Sequence, residues 1–371
     1  MKVTVLGHDL SSNAVMRAHR LARAAATFAD VELVGPVEDA GAWAALPTGD
    51  VPMRTVAKQR FPQFASSFLD LVALADGDVL LAAKPHLASF GAALVAGERR
   101  GVPVVLDVDD LETALVPRSE WEADASAADL RRPGSAVYAA LLARASGAAA
   151  AVTAASSALA ARFGGVVVEH GTDVELFDPA VVDRAEARER FGFDGPTVVF
   201  PGTPRPHKGV LELARAVARL DHVRLALFAR PGDLAGAEWD GLSPTRLPLV
   251  PLPELPAVLA AADVVAVPQL DSEAARHQVP MKVFDAMAMA RPIVATTVSD
   301  LPEILEGCAR LVPPGDEDAL AQAIEKLLAQ PAEASELGRR ARDRCLSRYS
   351  LEWIGARLGE VVSGVLTRAA R

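Results

Sequence analysis

The stretch from Phe200 to Val210 reads FPGTPRPHKGV, with three prolines, two glycines and the cationic or titratable side chains of Arg205, His207 and Lys208. It joins a strand-like run, TVVF, to a helix-like run, VLELARAVARL. So stiff and positive a turn suits an anion. A ligand held there would meet the unpaired N–H groups and positive dipole end of a helix N-terminus. Lys208 adds a point charge, and Arg205 can reach the same oxygens. Pro204 and Pro206 fix φ, so little order is lost on binding. Gly202 and Thr203 form the strand end of the turn. The competing reading is a solvated loop.

A second segment, Val279 to Leu305, reads as turn, helix, strand, turn and helix. Pro280 fits a first helical position. Lys282 then falls in the first turn, where a cation opposes the helix dipole unless it binds an anion. Asp285 follows three residues later on the same helical face. A carboxylate one turn beyond a phosphate-gripping cation suits two vicinal hydroxyls, as a ribose offers.

In the first half, GHDLSSN (Gly7 to Asn13) offers Gly7 for close backbone approach, with Ser11 and Ser12 as helix caps or ligand donors. AAKPHLASF places Lys84 and His86 at a strand end. LDVDDLE contains Asp107-Val-Asp109, a D-x-D pattern able to hold Mg²⁺ or Mn²⁺ against a diphosphate. We expect no metal, since Lys208 and Lys282 can neutralise the same charge. Asp109, Asp110 and Glu112 are then left to orient an acceptor hydroxyl or hold the turn. His170 is either near the hinge or a cap on its strand.

These residues need strands and helices to position them. Val-rich runs alternate with helix-period segments: VTVL from Val3, VELVGP from Val31, DVLLAA from Asp78, VPVVLDV from Val102, an AAAVTA run and VVVEH from Val166. The pattern restarts with TVVF from Thr197, VRLALFA from Val223, TRLPLV from Thr245, DVVAVP from Asp263, PIVAT from Pro292 and ARLVPP from Ala309. Continuous apolar strands separated by helices indicate parallel sheets covered on both faces. The expected fold is α/β with two Rossmann-like, doubly wound domains facing a cleft, one over residues 1–177 and the other over 178–350. A final helix over 351–371 would cross back to the first domain.

Composition narrows the partners. With 38 basic against 48 acidic residues, the net charge of −10 argues against a general nucleic-acid binder. Only six basic residues are lysine: Lys2, Lys58, Lys84, Lys208, Lys282 and Lys326. A chain that prefers Arg keeps Lys where a compact ammonium is needed. Cys308 and Cys345 have no metal-ligand spacing and fit a reduced compartment. No secretory signal or membrane-spanning run is legible. The expectation is a cytoplasmic protein, with peripheral contact at the inner membrane face left open.

Together, Gly202 to Gly209 and Asp285-Ala-Met-Ala-Met-Ala-Arg-Pro-Ile-Val-Ala295 resemble the G-x5-K-G and E-A-M-A-x-G-x-P-V-V-A segments of retaining GT-B glycosyltransferases of family four. HGTDVELFDP, His170 to Pro179, resembles that family's inter-domain segment. The resemblance implies a metal-independent, retaining glycosyltransferase without cofactor, using a UDP- or GDP-sugar. The acceptor would be a carbohydrate, a lipid-linked molecule or a small molecule. It assigns Lys208, Arg205, Lys282 and His86 to catalysis. Gly202, Thr203, Pro280, His277 and Asp285 join Lys208 and Lys282 in binding the donor, while Gly7, Ser11, Ser12, Lys84, Asp109 and Asp110 line the acceptor side. The sequence departs from the pattern at Thr203, where the family carries Arg, at His277, where it carries Glu, and at Asp285, one methylene shorter than Glu. A 2-epimerase of the same fold and a non-catalytic nucleotide-sugar-binding protein are the alternatives.

Overall fold

A computed structural model of the chain describes residues 1–47, 49–115, 129–230 and 232–369. Two compact units emerge, Met1–Gly171 with Leu351–Arg371, and Thr172–Ser350. The division falls at Gly171/Thr172 instead of after residue 177. Thr172 bonds through its backbone N–H to Tyr349 O at 2.9 Å, and Phe177 packs in the second unit's core.

In the first unit the apolar runs become β1 (Lys2–Leu6), β2 (Asp30–Val37), β3 (Met53–Ala57), β4 (Val79–Ala83), β5 (Val104–Val108), β6 (Ala151–Ala154) and β7 (Val166–Val167). They alternate with helices α1 (Val15–Ala25), α2 (Phe64–Leu74), α3 (Ala92–Arg100), α4 (Ala136–Arg144) and α5 (Ser157–Phe163). The sheet is parallel, in the order β3-β2-β1-β4-β5-β6-β7. Alternation feeds two cores. Val3, Val5, Val79 and Leu81 lie in one; Leu6, Leu80, Ala82 and Leu106 lie in the other. The edge strand β3 had no counterpart among the sequence-derived strands: Met53, Arg54 and Thr55 lack the continuous apolar character of a central strand, and only the pairing with β2 makes it one.

The second unit holds β8 (Thr197–Phe200), β9 (Arg224–Phe228), β10 (Thr245–Leu247), β11 (Val264–Val267), β12 (Ile293–Thr296) and β13 (Arg310–Val312). Its helices are α6 (Arg184–Phe191), α7 (Val210–Val217), α8 (Leu255–Ala261), α9 (Glu273–Arg276), α10 (Lys282–Ala288), α11 (Leu301–Ile304), α12 (Glu317–Ala329) and α13 (Pro331–Arg348). The order is β10-β9-β8-β11-β12-β13, again parallel. Helix α14 (Leu351–Ala369) packs Leu358, Val362 and Val365 into the core that contains Val15, Ala18 and Leu21 of α1.

Each sheet changes direction of growth once, between β1 and β4 in the first and between β8 and β11 in the second. At such a switch the loops leaving adjacent strands run apart and open a crevice beyond the carboxyl ends, where ligands of doubly wound sheets bind. The segments after β1, β4, β8 and β11 carry most of the residues singled out from sequence. No described helix is long and apolar enough to cross a membrane.

Candidate functional site

At the switch point of the second unit, the turn after β8 is a single 3₁₀ turn, Pro206–Lys208, closed by Gly209 with φ 64° before α7. A side chain at Gly209 would put Cβ 1.9 Å from Pro268 O, so the loop after β11 lies directly on this turn. The N–H of Leu270 donates to His207 O at 3.0 Å and fastens the two loops together. Lys208 Nζ donates to Thr203 O at 3.1 Å, folding its ammonium back over its own loop.

Lys282 arrives from α10. Its Nζ lies 3.8 Å from the Phe200 ring centroid and would sit 2.4 Å from a Cβ at Gly202, so Gly202 makes room for the ammonium. Burial pushes the Lys282 amine well below the usual lysine range, and the charges of Lys208 and Arg205 push it further than Asp285 pulls it back. Two cations of the turn after β8, Lys208 and Arg205, therefore act electrostatically on Lys282 at the start of α10. Such a group of cations, costly when empty, is what an anion of two or more charges would relieve. Asp285 is buried, and the Thr172 hydroxyl donates to it at 2.6 Å.

Two donor-side expectations shift. Pro280 stands ahead of the Met281 N-cap instead of at the first helical position, and Lys282 itself opens α10. His277 is bonded through Nδ1 to Glu273 O at 2.8 Å, an attachment to its own short helix.

The first unit gathers a different set at its switch point. The rings of His8, after β1, and His86, after β4, stack with centroids 4.2 Å apart and planes 16° from parallel. Burial, then the neighbouring His86, holds His8 well below the usual histidine range. His86 Nε2 is 3.4 Å from Glu112 Oε2. Lys84 adopts φ 69°, a left-handed backbone that a β-carbon disfavours. Its ammonium is buried 3.1 Å from Asp109, 2.5 Å from Asp110 and 2.7 Å from Glu112. Burial alone would lower the Lys84 pKa, but the three carboxylates outweigh it and raise it well above the usual value. Burial lifts the Asp109 carboxyl to about 7 despite Lys84, with Asp110 adding to the rise.

Asp109, Asp110 and Glu112 could share one cation by spacing alone, their oxygens lying within 4.8 Å of one another. The Lys84 ammonium already stands among them. Asp107, the first member of the D-x-D pattern, is taken up by Arg17 through two bonds of 2.7 Å and by the Thr153 hydroxyl at 2.6 Å. Lys84, Asp109 and Asp110 thus form an internal ion cluster rather than free cleft groups. Ser11 and Ser12 also differ from expectation. Ser11 Oγ accepts from Glu38 N at 2.6 Å and Ser12 Oγ donates to Asp9 at 2.8 Å, while α1 starts behind Ala14 without a side-chain cap. Gly7 makes room for Leu10 of its own loop, whose Cδ2 would lie 2.7 Å from an added Cβ.

His8, Arg17, Glu112 as a partner of His86, and Thr172 went unnoticed in the sequence. His8 stood beside the flagged Gly7, but nothing local says that β1 and β4 are neighbours. Thr172 lies in the flagged HGTDVELFDP segment, whose link to Asp285 spans 113 residues.

Comparison with known proteins bears on this architecture. Residues 195–330 match the family model of glycosyl transferases group 1. This segment is similar to the group 1 glycosyltransferases. It carries Gly202, Lys208, Lys282 and Asp285, the residues assembled at the second switch point. The MMP alpha-(1->4)-mannosyltransferase of Mycolicibacterium hassiacum is 32% identical over 55% of this chain and 49% of its own length. The GDP-mannose-dependent alpha-(1-6)-phosphatidylinositol monomannoside mannosyltransferase of Mycolicibacterium smegmatis is 33% identical over 56% of this chain and 59% of its own. The chain thus spans about half the length of these curated relatives. Among solved structures, Anabaena HepE in complex with UDP-glucose aligns with a TM-score of 0.73 at 21% identity, covering 98% of this chain and 100% of that one. At that identity the likeness is one of fold. The fold is that of GT-B glycosyltransferases, two Rossmann-like domains with parallel sheets.

Proposed function

We propose that the protein is a glycosyltransferase that moves a sugar from a nucleotide-diphosphate sugar to an acceptor hydroxyl. What supports this reading is Lys282, whose ammonium lies against Gly202 of the turn that carries Arg205 and Lys208, and whose proton affinity is lowered by burial and by those two cations. A diphosphate supplies the missing negative charge. Asp285, braced by Thr172, takes the ribose hydroxyls one helical turn away.

In the reaction, the bond between the anomeric carbon and the diphosphate oxygen breaks, and its electron pair stays on the diphosphate. Lys208, Arg205 and Lys282 stabilise that charge without an obligatory metal. The acceptor oxygen attacks the oxocarbenium-like carbon from the face the diphosphate leaves, and its proton passes to the departing phosphate oxygen. Configuration is retained. The acceptor side is assigned to the first unit, where Glu112 and His8 set the ring of His86. Relatives named for mannosyl transfer from GDP-mannose and for phosphatidylinositol mannosides support a sugar or inositol-lipid acceptor. HepE, solved with UDP-glucose, keeps uridine donors in view.

Incubation with UDP- and GDP-sugars tests the reading. Slow release of nucleoside diphosphate, accelerated by an acceptor, is the expected result. An isomerised donor would mark an epimerase, and binding without turnover a non-catalytic protein.

A further inference from the structure

Gln269 lies two residues beyond the end of β11, at the switch point of the second sheet, and is 2% exposed. Its backbone is held on both sides. The Thr296 hydroxyl, at the end of β12, donates to Gln269 O at 2.7 Å. The preceding Pro268 lies against Gly209, and the following Leu270 is bonded to His207. Yet both Oε1 and Nε2 of its side chain are buried without a hydrogen-bond partner among the described residues. Three residues beyond the end of the neighbouring strand β12, Ser299 has φ 53° and a hydroxyl that is likewise buried and without a partner among the described residues.

Unmet buried polar groups are rare, and each costs about 1–3 kcal/mol. Here a long amide is held unsatisfied at the carboxyl end of β11, beside the switch point where doubly wound sheets receive ligands, on the loop that touches the cationic turn. Its chemistry narrows the partner. A primary amide offers two donors and an acceptor, and a hydroxyl offers one donor and accepts as well. Phosphate oxygens would satisfy only the donors. A run of neighbouring hydroxyls satisfies both kinds. Asp285 is already assigned to the ribose, and the transferred sugar is the other run of hydroxyls in a nucleotide sugar; pairing with the base instead would weaken nucleotide and nucleotide sugar alike.

We propose that Gln269, with Ser299 on the loop after β12, reads the hydroxyls of the transferred sugar and so helps to select the donor. The inference rests on the nucleotide-sugar reading above. The loop after β11 meets the turn assigned to the diphosphate. His277 is already committed to Glu273 O.

Gln269→Met keeps volume and removes both hydrogen-bonding functions; Gln269→Ala serves as a second variant should the first fail to fold. Binding to UDP, UDP-glucose, GDP and GDP-mannose is measured by titration calorimetry, alongside the melting temperature of the ligand-free protein. The expected result is unchanged affinity for the free nucleoside diphosphate that the wild type binds, and about tenfold weaker binding of the matching nucleotide sugar, the loss of one or two net hydrogen bonds. Gln269→Met should melt no lower than the wild type, because the amide has no partner to lose. Equal weakening of nucleotide and nucleotide sugar, or no weakening of either, overturns the inference. So does a lowered melting temperature with unaltered sugar binding, which would show a purely structural amide. A wild type that binds neither nucleotide defeats the nucleotide-sugar reading itself, and this inference with it.

Discussion

Replacing Lys282 by Met is the most demanding test of the donor site, because activity and stability should move in opposite directions. In the ligand-free protein the ammonium lies on the Phe200 ring, beside Gly202, under the field of Lys208 and Arg205. It also opens α10, where a positive charge opposes the dipole at a cost of a few tenths of a kcal/mol. Its folded-state pKa is depressed. Between that value and the unfolded lysine value of about 10.4, the unfolded chain binds more protons, so this residue makes stability rise with pH. Methionine removes that slope, and the variant should melt at or above the wild-type temperature at neutral pH.

Catalysis should suffer. Removing one preorganised charge-stabilising donor typically costs about 10²–10³ in rate, near 2.7–4 kcal/mol. A loss of two decades or more in transfer is therefore expected for Lys282→Met, and likewise for Lys208→Ala. The assay is release of nucleoside diphosphate from the donor, with acceptor present, read beside a thermal melt. Binding of the diphosphate should also restore the Lys282 proton, so the wild type takes up protons on binding and its affinity falls as pH rises through the depressed value. Calorimetry in buffers of different ionisation enthalpy reads that uptake. Near-normal turnover in both variants, or proton uptake that survives Lys282→Met undiminished, would refute the reasoning.

Two further outcomes follow from the packing and the buried charges. Gly209→Ala adds a Cβ 1.9 Å from Pro268 O at a residue with φ 64°, so we expect a loss of more than about 2 kcal/mol in denaturant unfolding, and an unaltered midpoint would contradict the contact. Asp109, raised to about 7, binds its proton more tightly in the folded state, and the stability this lends is present below about pH 4 and lost as pH rises through about 7. Asp109→Asn should therefore gain on the wild type in melting temperature between pH 5 and pH 8, and parallel curves would disprove the assignment.

The alternating α/β pattern was legible in the chain because central strands of parallel sheets are buried on both faces and must be apolar throughout. So were the stiff cationic turn around Lys208, the pairing of Lys282 with Asp285 along one helix, and the break between α13 and α14, all of which depend on residues close in sequence. β3 escaped because an edge strand needs no such run. What only tertiary structure decided is which distant loops meet. The adjacency of β8 and β11 lays Pro268 on Gly209 and brings Gln269 to the donor turn, and that of β1 and β4 stacks His8 on His86. Lys84 looked from its neighbours like a free cleft cation and proved to be the counterion of three buried carboxylates. Local sequence sets propensity and charge within a few turns of chain. A side chain's partner across the sheet is set by strand order, and buried charge, whose energy grows as water is excluded, settles its state only once that order exists.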